Sequence, residues 1–302
     1  MRPLLSTSGY RMDQTGSTAD CPEPAGELFD TGRFGTVRVV VRRCPLCDAG
    51  SPIPVPGYGQ DIWRLVRCGP CGFVYLDRAP DYTALFAAMA WEKTGAAELE
   101  RRAEIRPFSF RLSRATRIRM ALLPRKKMAD LVARAARPGN VIDLGCGTGW
   151  QAAGLGPAYV PYGIEISAEA AAAADGVFRP RGGAALNQPA LLGLKSFADG
   201  FFSAATLRSY LEHELHPRAV LRELWRTLGS GGVVIVKVPN YGSLNRRVTG
   251  RKWCGFRYPD HVNYFTPKTL RAMAEDCGYR MRFGLTDRLP TSDNMYAVLN
   301  KP

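Results

Sequence analysis

The chain of 302 residues lacks any apolar run close to the roughly 18 residues that a membrane-spanning helix needs. It also lacks an extended apolar segment near its amino terminus, so we expect no secretory signal. Without such a signal, eight cysteines in a chain of this length do not indicate a disulfide framework. These absences favour a globular, cytoplasmic protein that has one good-sized core and a small additional module.

A glycine-rich turn between two short apolar strands is the most informative motif of the chain. VIDLGCGTG occupies residues 141–149, an alanine-containing segment that we expect to be helical follows, and YGIEIS then contains Glu165. Glycine in such a turn permits backbone angles closed to other residues and lets a ligand lie against the main chain. An acid that ends the second strand of a βαβ unit stands where a ribose presents its hydroxyls. The motif therefore predicts a site for a nucleoside-bearing cofactor.

The residues around this turn discriminate between cofactors. A phosphate-binding P-loop needs a Lys-Ser/Thr pair after its last glycine, but Gly149 is followed by Trp150 and Gln151. A dinucleotide site has the spacing G-x-G-x-x-G, whereas the spacing here is G-x-G-x-G. The carboxylate of Asp143, just before the turn, would repel a pyrophosphate and suits an ammonium or a sulfonium. These features favour S-adenosylmethionine (SAM), with a dinucleotide site or a purely structural turn as the alternatives.

Two C-x-x-C pairs indicate a metal module ahead of this motif. Cys44 and Cys47 form the first pair, and Cys68 and Cys71 form the second. Four thiolates at this separation suit one tetrahedral ion, and four sulfur ligands favour a structural zinc. Short predicted strands flank both pairs, so we interpret residues 31–78 as a zinc ribbon (the ribbon). A redox role for either pair is the alternative.

The remaining segments suggest a leader and a helical connection. Residues 1–30 resemble a disordered leader, and residues 79–138 form a predicted helical linker or cap. Seven arginines crowd residues 101–119, where they could contact phosphates or form a solvated helix face. Residues 141–240 carry eight acids and eight bases, so the basic excess of the chain, +14 overall, flanks the glycine motif. Basic flanks favour an anionic substrate or partner.

Alternating strand and helix patterns over residues 139–302 predict an α/β fold. We expect a doubly wound, Rossmann-like, seven-stranded sheet with an antiparallel edge strand, and the last two strands forming an antiparallel pair at one edge. The ligand site of such a sheet lies outside the carboxyl ends of its strands. The loops that follow the fourth and fifth predicted strands of this sheet should therefore line the site.

The only three histidines of the chain fall in these two loops. RSYLEHELHP follows the fourth strand and contains Tyr210, His213 and His216, and an insertion at residues 240–265 (the insertion) contains His261. We predict that Tyr210, His213 and His261 are catalytic, with a histidine as general base, although loop histidines often only bond the backbone. Aromatic residues and cations alternate in the insertion, which predicts a lid that grips an anionic or sugar-bearing substrate or one packed for structure alone.

From the ribbon to residue 278 the order of motifs resembles a bacterial group of type-12/type-23-like class I SAM-dependent methyltransferases with an N-terminal zinc ribbon. The resemblance rests on the two cysteine pairs, VIDLGCGTGW, YGIEIS, SYLEHELHP, GGVVIVKVPN and PDHVNYFTPKTL. It implies that Asp143 and the glycine loop hold the methionine end of SAM and that Glu165 holds the ribose. The candidate SAM-binding residues are Asp143, Gly145, Cys146, Gly147, Thr148, Gly149, Glu165, Ile166 and Leu207.

This chain departs from the pattern of that group at two positions. The fourth strand usually opens with Phe-Asp, whereas this chain has Phe202-Ser203. No acid ends the third strand, so Asn187 and Asp199 are the candidates for adenine recognition.

Three functions remain open from the sequence. The resemblance favours a methyltransferase that acts on a small or carbohydrate-linked acceptor such as a nucleotide sugar. The second hypothesis is an RNA methyltransferase in which the ribbon and the arginine-rich helix grip RNA. The third is a SAM-binding or interaction protein without turnover, to which Ser203 lends some support.

Overall fold

The computed structural model describes residues 26–30, 36–81, 128–284 and 292–302. Most of the predicted leader and cap, including the arginine-rich stretch, lies outside these described residues. At the end of the predicted leader, Glu27–Asp30 pairs with Thr36–Val41 as an antiparallel strand. The structure therefore corrects the leader boundary, because strand structure starts before residue 30. None of the described helices is long and apolar enough to cross a bilayer, and the cytoplasmic location stays a prediction.

The first part of the described chain consists of short strands in two small sheets. Their bounds are β1 Glu27–Asp30, β2 Thr36–Val41, β3 Pro52–Gln60, β4 Trp63–Cys68, β5 Val74–Leu76 and β6 Arg78–Pro80. β1, β2 and β6 form a three-stranded sheet, and β3, β4 and β5 form an antiparallel meander. Both cysteine pairs lie in the turns beside these strands, as the ribbon prediction requires.

The second part alternates strands and helices. It comprises α1 Met128–Ala135, β7 Gly139–Leu144, β8 Tyr159–Glu165, α2 Ala168–Phe178, β9 Ala184–Asn187, α3 Ala190–Leu194, β10 Phe202–Arg208, α4 Pro217–Thr227, β11 Leu228–Pro239, α5 Leu244–Thr249, β12 Asn263–Tyr264, α6 Pro267–Asp276, β13 Arg280–Phe283 and β14 Asn294–Asn300.

Seven of these strands form one sheet in the order β13-β14-β11-β10-β7-β8-β9. β14 is antiparallel to both of its neighbours, and the pairs from β11 to β9 are parallel. The predicted doubly wound fold with an antiparallel edge pair is confirmed. The carboxyl ends of β7, β8, β10 and β11 consequently meet at one edge, where they position the site.

Local sequence explains the helix boundaries, including one that differs from expectation. Ser167 caps α2 by accepting a hydrogen bond from the Ala170 amide, and Thr266 caps α6 ahead of Pro267. The expected helix after the glycine turn is only one 3-10 turn, Ala152–Gly154. Two glycines and a proline in the sequence at residues 154–157 prevent further propagation, because each of these residues disfavours a helix interior.

The insertion completes the sheet of the ribbon. Its strand β12 pairs antiparallel with β5, which gives the four-stranded order β12-β5-β4-β3. Of the two alternatives for the insertion, the burial of its rings favours packing: Trp253 is 1%, Phe256 3% and Tyr264 3% exposed, in a core that they share with Trp63 and Leu65 of β4. The aromatic residues of the insertion therefore serve packing, because burying them against the ribbon removes a large apolar area from water.

Two buried polar side chains join the ribbon to the rest of the chain. Arg42, only 9% exposed, donates to the carbonyls of Leu76, Val262 and Leu215 and, at 2.8 Å, to the side-chain oxygen of Asn263. The Asn263 amide in turn donates to the carbonyls of residues 211 (2.8 Å) and 214 (2.6 Å). The ribbon, the loop after β10 and the insertion thus share one hydrogen-bond network.

We predict that Arg42→Met lowers the free energy of unfolding by about 3 kcal/mol, because it leaves several buried acceptors without a donor. Chemical denaturation measures the change. Arg43→Met is the matched control, since the side chain of Arg43 is 65% exposed, and we expect it to change stability by less than about 0.5 kcal/mol. Equal losses in the two variants would contradict a joining role for Arg42.

Candidate functional site

The glycine turn forms a loop after β7 that is anchored to β8. The amides of Gly145 and Cys146 both donate to the Ile164 carbonyl, at 2.9 and 3.3 Å. Gly147 and Gly149 have φ angles of +53° and +79°, in the left-handed region that favours glycine. A Cβ at Gly149 would lie 2.9 Å from a ring carbon of Phe178, whereas one at Gly147 would meet nothing within 4 Å. Gly149 therefore allows α2 to pack closely, and Gly147 leaves open space for a ligand.

Asp143 is a buried carboxylate at the end of β7. It is 3% exposed, and its Oδ1 accepts a 2.6 Å hydrogen bond from the Thr206 hydroxyl on β10. Within the part of the chain that the structure describes, its Oδ2 is buried without a hydrogen-bond partner. Burial raises the pKa of Asp143 to about 7, although Thr206 and the positive charge of Arg208 act in the opposite direction. An unsatisfied carboxylate of this kind suits a cationic ligand group.

Glu165 lies beside the same loop at the end of β8. Its Oε2 accepts the Gly147 amide at 2.8 Å, and its Oε1 accepts the amides of Ile166 and Ser167 at 2.8 and 3.0 Å. Three amides thus fix the orientation of the carboxylate, and its Oε2, which accepts only one of them, retains capacity to accept another donor. The Glu165 carboxylate is therefore fixed in a position where it can accept hydrogen bonds from hydroxyl groups beside the loop.

The two candidates for adenine recognition lie at opposite ends of the sheet. Asn187 pairs with Glu165 in the sheet, and its amide donates to the carbonyls of Glu165 (3.1 Å) and Ile166 (2.8 Å). Asp199 precedes β10, at the opposite end of the sheet, and forms a salt bridge with Arg226. The structure therefore places only Asn187 near the loop. The following residue, Gln188, has a buried side-chain oxygen without a partner among the described residues.

The other predicted SAM-binding residues divide into two groups. Thr148 is exposed on the loop, and Ile166 is partly buried directly after Glu165. The side chains of Cys146 and Leu207 are buried in two of the hydrophobic cores, at 2% and 0% exposure. Only the backbones of these last two residues can contact a ligand at the loop.

The loop after β10 brings together two of the predicted catalytic histidines. One donor atom each from Glu212, His213 and His261 lie within 4.8 Å of one another, and the two imidazole rings are 4.7 Å apart at nearly a right angle. His213 donates through Nδ1 to the Asp260 carbonyl at 2.9 Å, and its Nδ1 is 3.2 Å from the Asp260 carboxylate. His261 donates through Nδ1 to the Gly255 carbonyl at 2.8 Å. We call Glu212, His213 and His261 the acceptor-side cluster.

Burial and the charges around the cluster shift the pKa values of the two histidines in opposite directions. Burial acts to lower the pKa of His213, but the carboxylates of Asp260 and Glu212 outweigh it and raise that pKa. Burial and the neighbouring His213 hold the pKa of His261 well below its usual range. Burial raises the pKa of Glu212, which is 1% exposed. The cluster is therefore a set of proton-binding groups with different affinities, the usual property of a functional site.

Tyr210 is next to both the glycine loop and the cluster, and its carbonyl accepts the His213 amide at 2.9 Å. Its ring approaches within 3.1 Å of the position that a Cβ on Gly145 would occupy, and its hydroxyl donates to the Glu214 carboxylate. His216, by contrast, is not a member of the cluster and stands at the start of α4. The structure therefore brings Tyr210, His213 and His261 to one edge of the sheet, as the sequence suggested.

Three residues that the sequence did not indicate also belong to this edge. Ser209 has a φ of +54°, unusual for a residue other than glycine, and such local strain is common at functional sites. Its hydroxyl accepts a 2.9 Å hydrogen bond from Lys237, whose pKa is lowered by burial. Arg208 lies over the ring of the exposed Trp150, at 5.1 Å. A lysine in the otherwise apolar run VVIVKV is the one signal that could have revealed Lys237.

The four ribbon cysteines converge as predicted. The Sγ atoms of Cys44 and Cys71 are 3.4 Å apart, those of Cys47 and Cys68 are 3.5 Å apart, and all four lie within 4.8 Å of one another. Tetrahedral zinc with sulfur ligands at about 2.3 Å requires separations of about 3.8 Å. The cluster therefore has the donors and the approximate spacing for one metal ion.

Comparison with known proteins gives a family match over most of this region. Residues 117–282, more than half of the chain, match the family model of a methyltransferase domain. No curated protein matches the sequence. Similar solved structures include a SAM-dependent methyltransferase from Archaeoglobus fulgidus, with 16% identity and a TM-score of 0.45 over 64% of this chain and 100% of that one. Another SAM-dependent methyltransferase, from Thermotoga maritima, has 20% identity and a TM-score of 0.44 over 70% and 98%.

We predict that the ligand-free protein loses stability as the pH rises from about 4 to about 7. The raised pKa of Asp143 means that the folded state keeps a proton which the unfolded state has released, so unfolding becomes easier across this range. Asp143→Asn should remove this dependence, a difference on the order of 4 kcal/mol at pH 8. Denaturation series at several pH values measure it. Parallel curves for the wild type and the variant would contradict the assignment.

Proposed function

This chain belongs to the methyltransferase domain family and is a SAM-dependent methyltransferase, and on that premise we propose that its acceptor is a small or carbohydrate-linked molecule such as a nucleotide sugar. The observation that carries this proposal is the mixed charge of the acceptor side. Glu212, Glu214 and Asp260 stand there beside Lys237 and Arg257. Carboxylates suit the hydroxyl groups of a sugar, whereas they would oppose the continuous phosphate backbone of RNA.

The residues at the glycine loop fit SAM. The buried Oδ2 of Asp143 has no partner among the described residues, so the ammonium of a methionine moiety would satisfy it. Glu165 would accept the ribose hydroxyls, while Gly147 leaves room for the ligand against the main chain. When bound, SAM supplies an electrophilic methyl group on a sulfonium. The unpaired side-chain oxygen of Gln188 would accept the exocyclic amine of adenine.

The loop residues would differ in how they bind. Gly145, Thr148, Gly149 and Ile166 can contribute backbone or side-chain contacts, whereas Cys146 and Leu207 can contribute only their backbones. Holding both reactants in fixed positions supplies much of the rate enhancement in a transfer reaction. The bonds that anchor the loop to β8 therefore serve catalysis directly.

We assign proton removal from the acceptor to the acceptor-side cluster. His213 and His261 are held by Asp260 and by a backbone carbonyl, and Tyr210 is next to both the cluster and the glycine loop. A group that gives up its proton at the cluster would thus stand on the same edge of the sheet as the methyl donor. The exposed cations of the insertion, Arg247, Arg251 and Lys252, would meet the phosphates of a nucleotide sugar.

The ribbon cysteines are best explained as a structural zinc site. Four thiolates close the coordination sphere, so such an ion would have no open position for chemistry. The guanidinium of Arg218 on α4 donates to the Leu46 carbonyl within the first pair, at 2.8 Å. Zinc bound here would stabilise the ribbon and, through it, the insertion that β12 joins to its sheet.

We expect Glu165→Ala to weaken SAM binding by at least about tenfold, because it removes a charged hydrogen-bond acceptor at the ribose. Isothermal titration calorimetry measures the affinity. Glu169→Ala, in the exposed first turn of α2, is the control and should bind as the wild type does. Glu165→Gln, which preserves the shape of the side chain, tests whether the charge matters. Unchanged binding by both Glu165 variants would refute the ribose assignment.

Incubation of the protein with methyl-labelled SAM and a cell extract separates the acceptor classes. We expect label in the small-molecule and glycan fractions, and its loss on treatment that destroys carbohydrate. Label in RNA, together with RNA binding that weakens steeply as salt rises, would favour an RNA acceptor instead. The arginine-rich segment at residues 101–119 would then become the first region to mutate.

A further inference from the structure

We propose that the acceptor-side cluster is a second metal centre, in which Glu212, His213 and His261 bind a divalent first-row ion such as Zn²⁺ or Mn²⁺. Two histidines and one carboxylate are a ligand set suited to a catalytic metal that keeps an open coordination position. The placement of this ion beside the acceptor rests on the proposed function. The binding of the ion does not, because it follows from the geometry of the three side chains.

The distances place the three donors around one point. A metal with nitrogen and oxygen ligands at about 2.1 Å requires ligand separations of about 3.0–3.4 Å. The observed upper limit of 4.8 Å lies within a small side-chain rotation of that range. If both imidazoles bind through Nε2, each ring centroid lies about 3.2 Å from the ion. The centroid separation of 4.7 Å then gives an N–metal–N angle of about 95°.

The hydrogen bonds of both imidazoles involve Nδ1 and leave Nε2 of each ring available to bind a metal. A backbone carbonyl can only accept, so the bonds from His213 to the Asp260 carbonyl and from His261 to the Gly255 carbonyl require a proton on each Nδ1. In the neutral ring Nε2 is then the basic atom. Metal-binding histidines usually donate their other N–H to a carbonyl or carboxylate in this way, which fixes the orientation of the ring.

Glu212 supplies an anionic ligand that protein groups do not satisfy. It is 1% exposed, and its Oε2 is buried without a hydrogen-bond partner in the described part of the chain. An ionised carboxylate in this position is costly unless a cation or several donors compensate it. The backbone holds the side chain in place, because the Glu212 carbonyl accepts the amides of Val262 and Asn263 at 2.8 and 3.0 Å.

Those two backbone hydrogen bonds also join the ligands to one another. They attach Glu212 to Val262 and Asn263, the two residues that directly follow His261. Because His213 directly follows Glu212, the backbones of all three ligands are held together. An ion here would keep a position open to the acceptor. The cluster would then remove the acceptor proton through the ion, which would lower the pKa of a bound acceptor hydroxyl as metals do for bound water, and the proton would pass to solvent rather than to a histidine.

Metal analysis of the purified full-length protein after equilibrium dialysis against Zn²⁺, and separately against Mn²⁺, tests the proposal. We expect the wild type to bind one equivalent more than His213→Gln, His261→Gln or Glu212→Gln. His216→Gln is the matched control, since His216 is the one histidine of the chain outside the cluster, and it should retain the full content. Cys47→Ser should lose the ribbon ion and keep the second one.

Cobalt substitution distinguishes the two centres without an activity assay. Cobalt bound to the ribbon gives thiolate charge-transfer absorption, and cobalt bound to the cluster adds only weak ligand-field bands. We expect His213→Gln, whose native side chain is 27% exposed and therefore tolerant of change, to lose only the weak bands. Calorimetry with SAM checks that each variant remains folded and competent.

Equal metal content in the wild type and in all three cluster variants would overturn the second centre. That result would leave the SAM-dependent function intact, because SAM binding and methyl incorporation are measured separately. Conversely, a failure of SAM binding with the second equivalent retained would refute the loop assignment and not the metal centre.

Discussion

The network of Arg42 and Asn263 is the interaction on which the rest of the structure depends. Arg42 comes from the ribbon, Asn263 comes from the insertion, and the carbonyls of Leu211 and Glu214 come from the loop after β10. All of these groups are buried, so each hydrogen bond is costly to lose. Because Asn263 is two residues from His261, the same network holds that histidine against His213. The ribbon therefore contributes to the position of the cluster.

The edge of the sheet divides into two chemically different sides. On the methyl-donor side, Asp143 and Glu165 present carboxylates that are held by Thr206 and by backbone amides. On the acceptor side, charges of both signs surround two imidazoles with opposite pKa shifts. Tyr210 is next to both sides, through its ring at Gly145 and its carbonyl at the His213 amide. In the proposed function, this division separates the binding of a cationic cofactor from the removal of the acceptor proton.

The fold was largely predictable because its signals are local. Strand patterns, the glycine turn and the cysteine pairs each depend on a few neighbouring residues, and all were found near their predicted positions. The prediction of a helix after the glycine turn was wrong, because two glycines and a proline disfavour a helix more than the alanines of this segment favour one. The aromatic residues of the insertion suited either a substrate-gripping lid or packing alone, and the structure shows them in a core with β4. An aromatic pattern does not reveal which surface will cover it.

The sequence by itself determined the methyl-donor half of the site, since Asp143, the glycines and Glu165 lie within one βαβ unit whose geometry follows from short-range rules. Only the tertiary structure decided the acceptor half. His213 and Asp260 are 47 residues apart, and the Asn263 bonds span about as many. Such contacts depend on β12 joining the sheet of the ribbon. No local pattern encodes that pairing, because a two-residue strand carries almost no periodicity of its own.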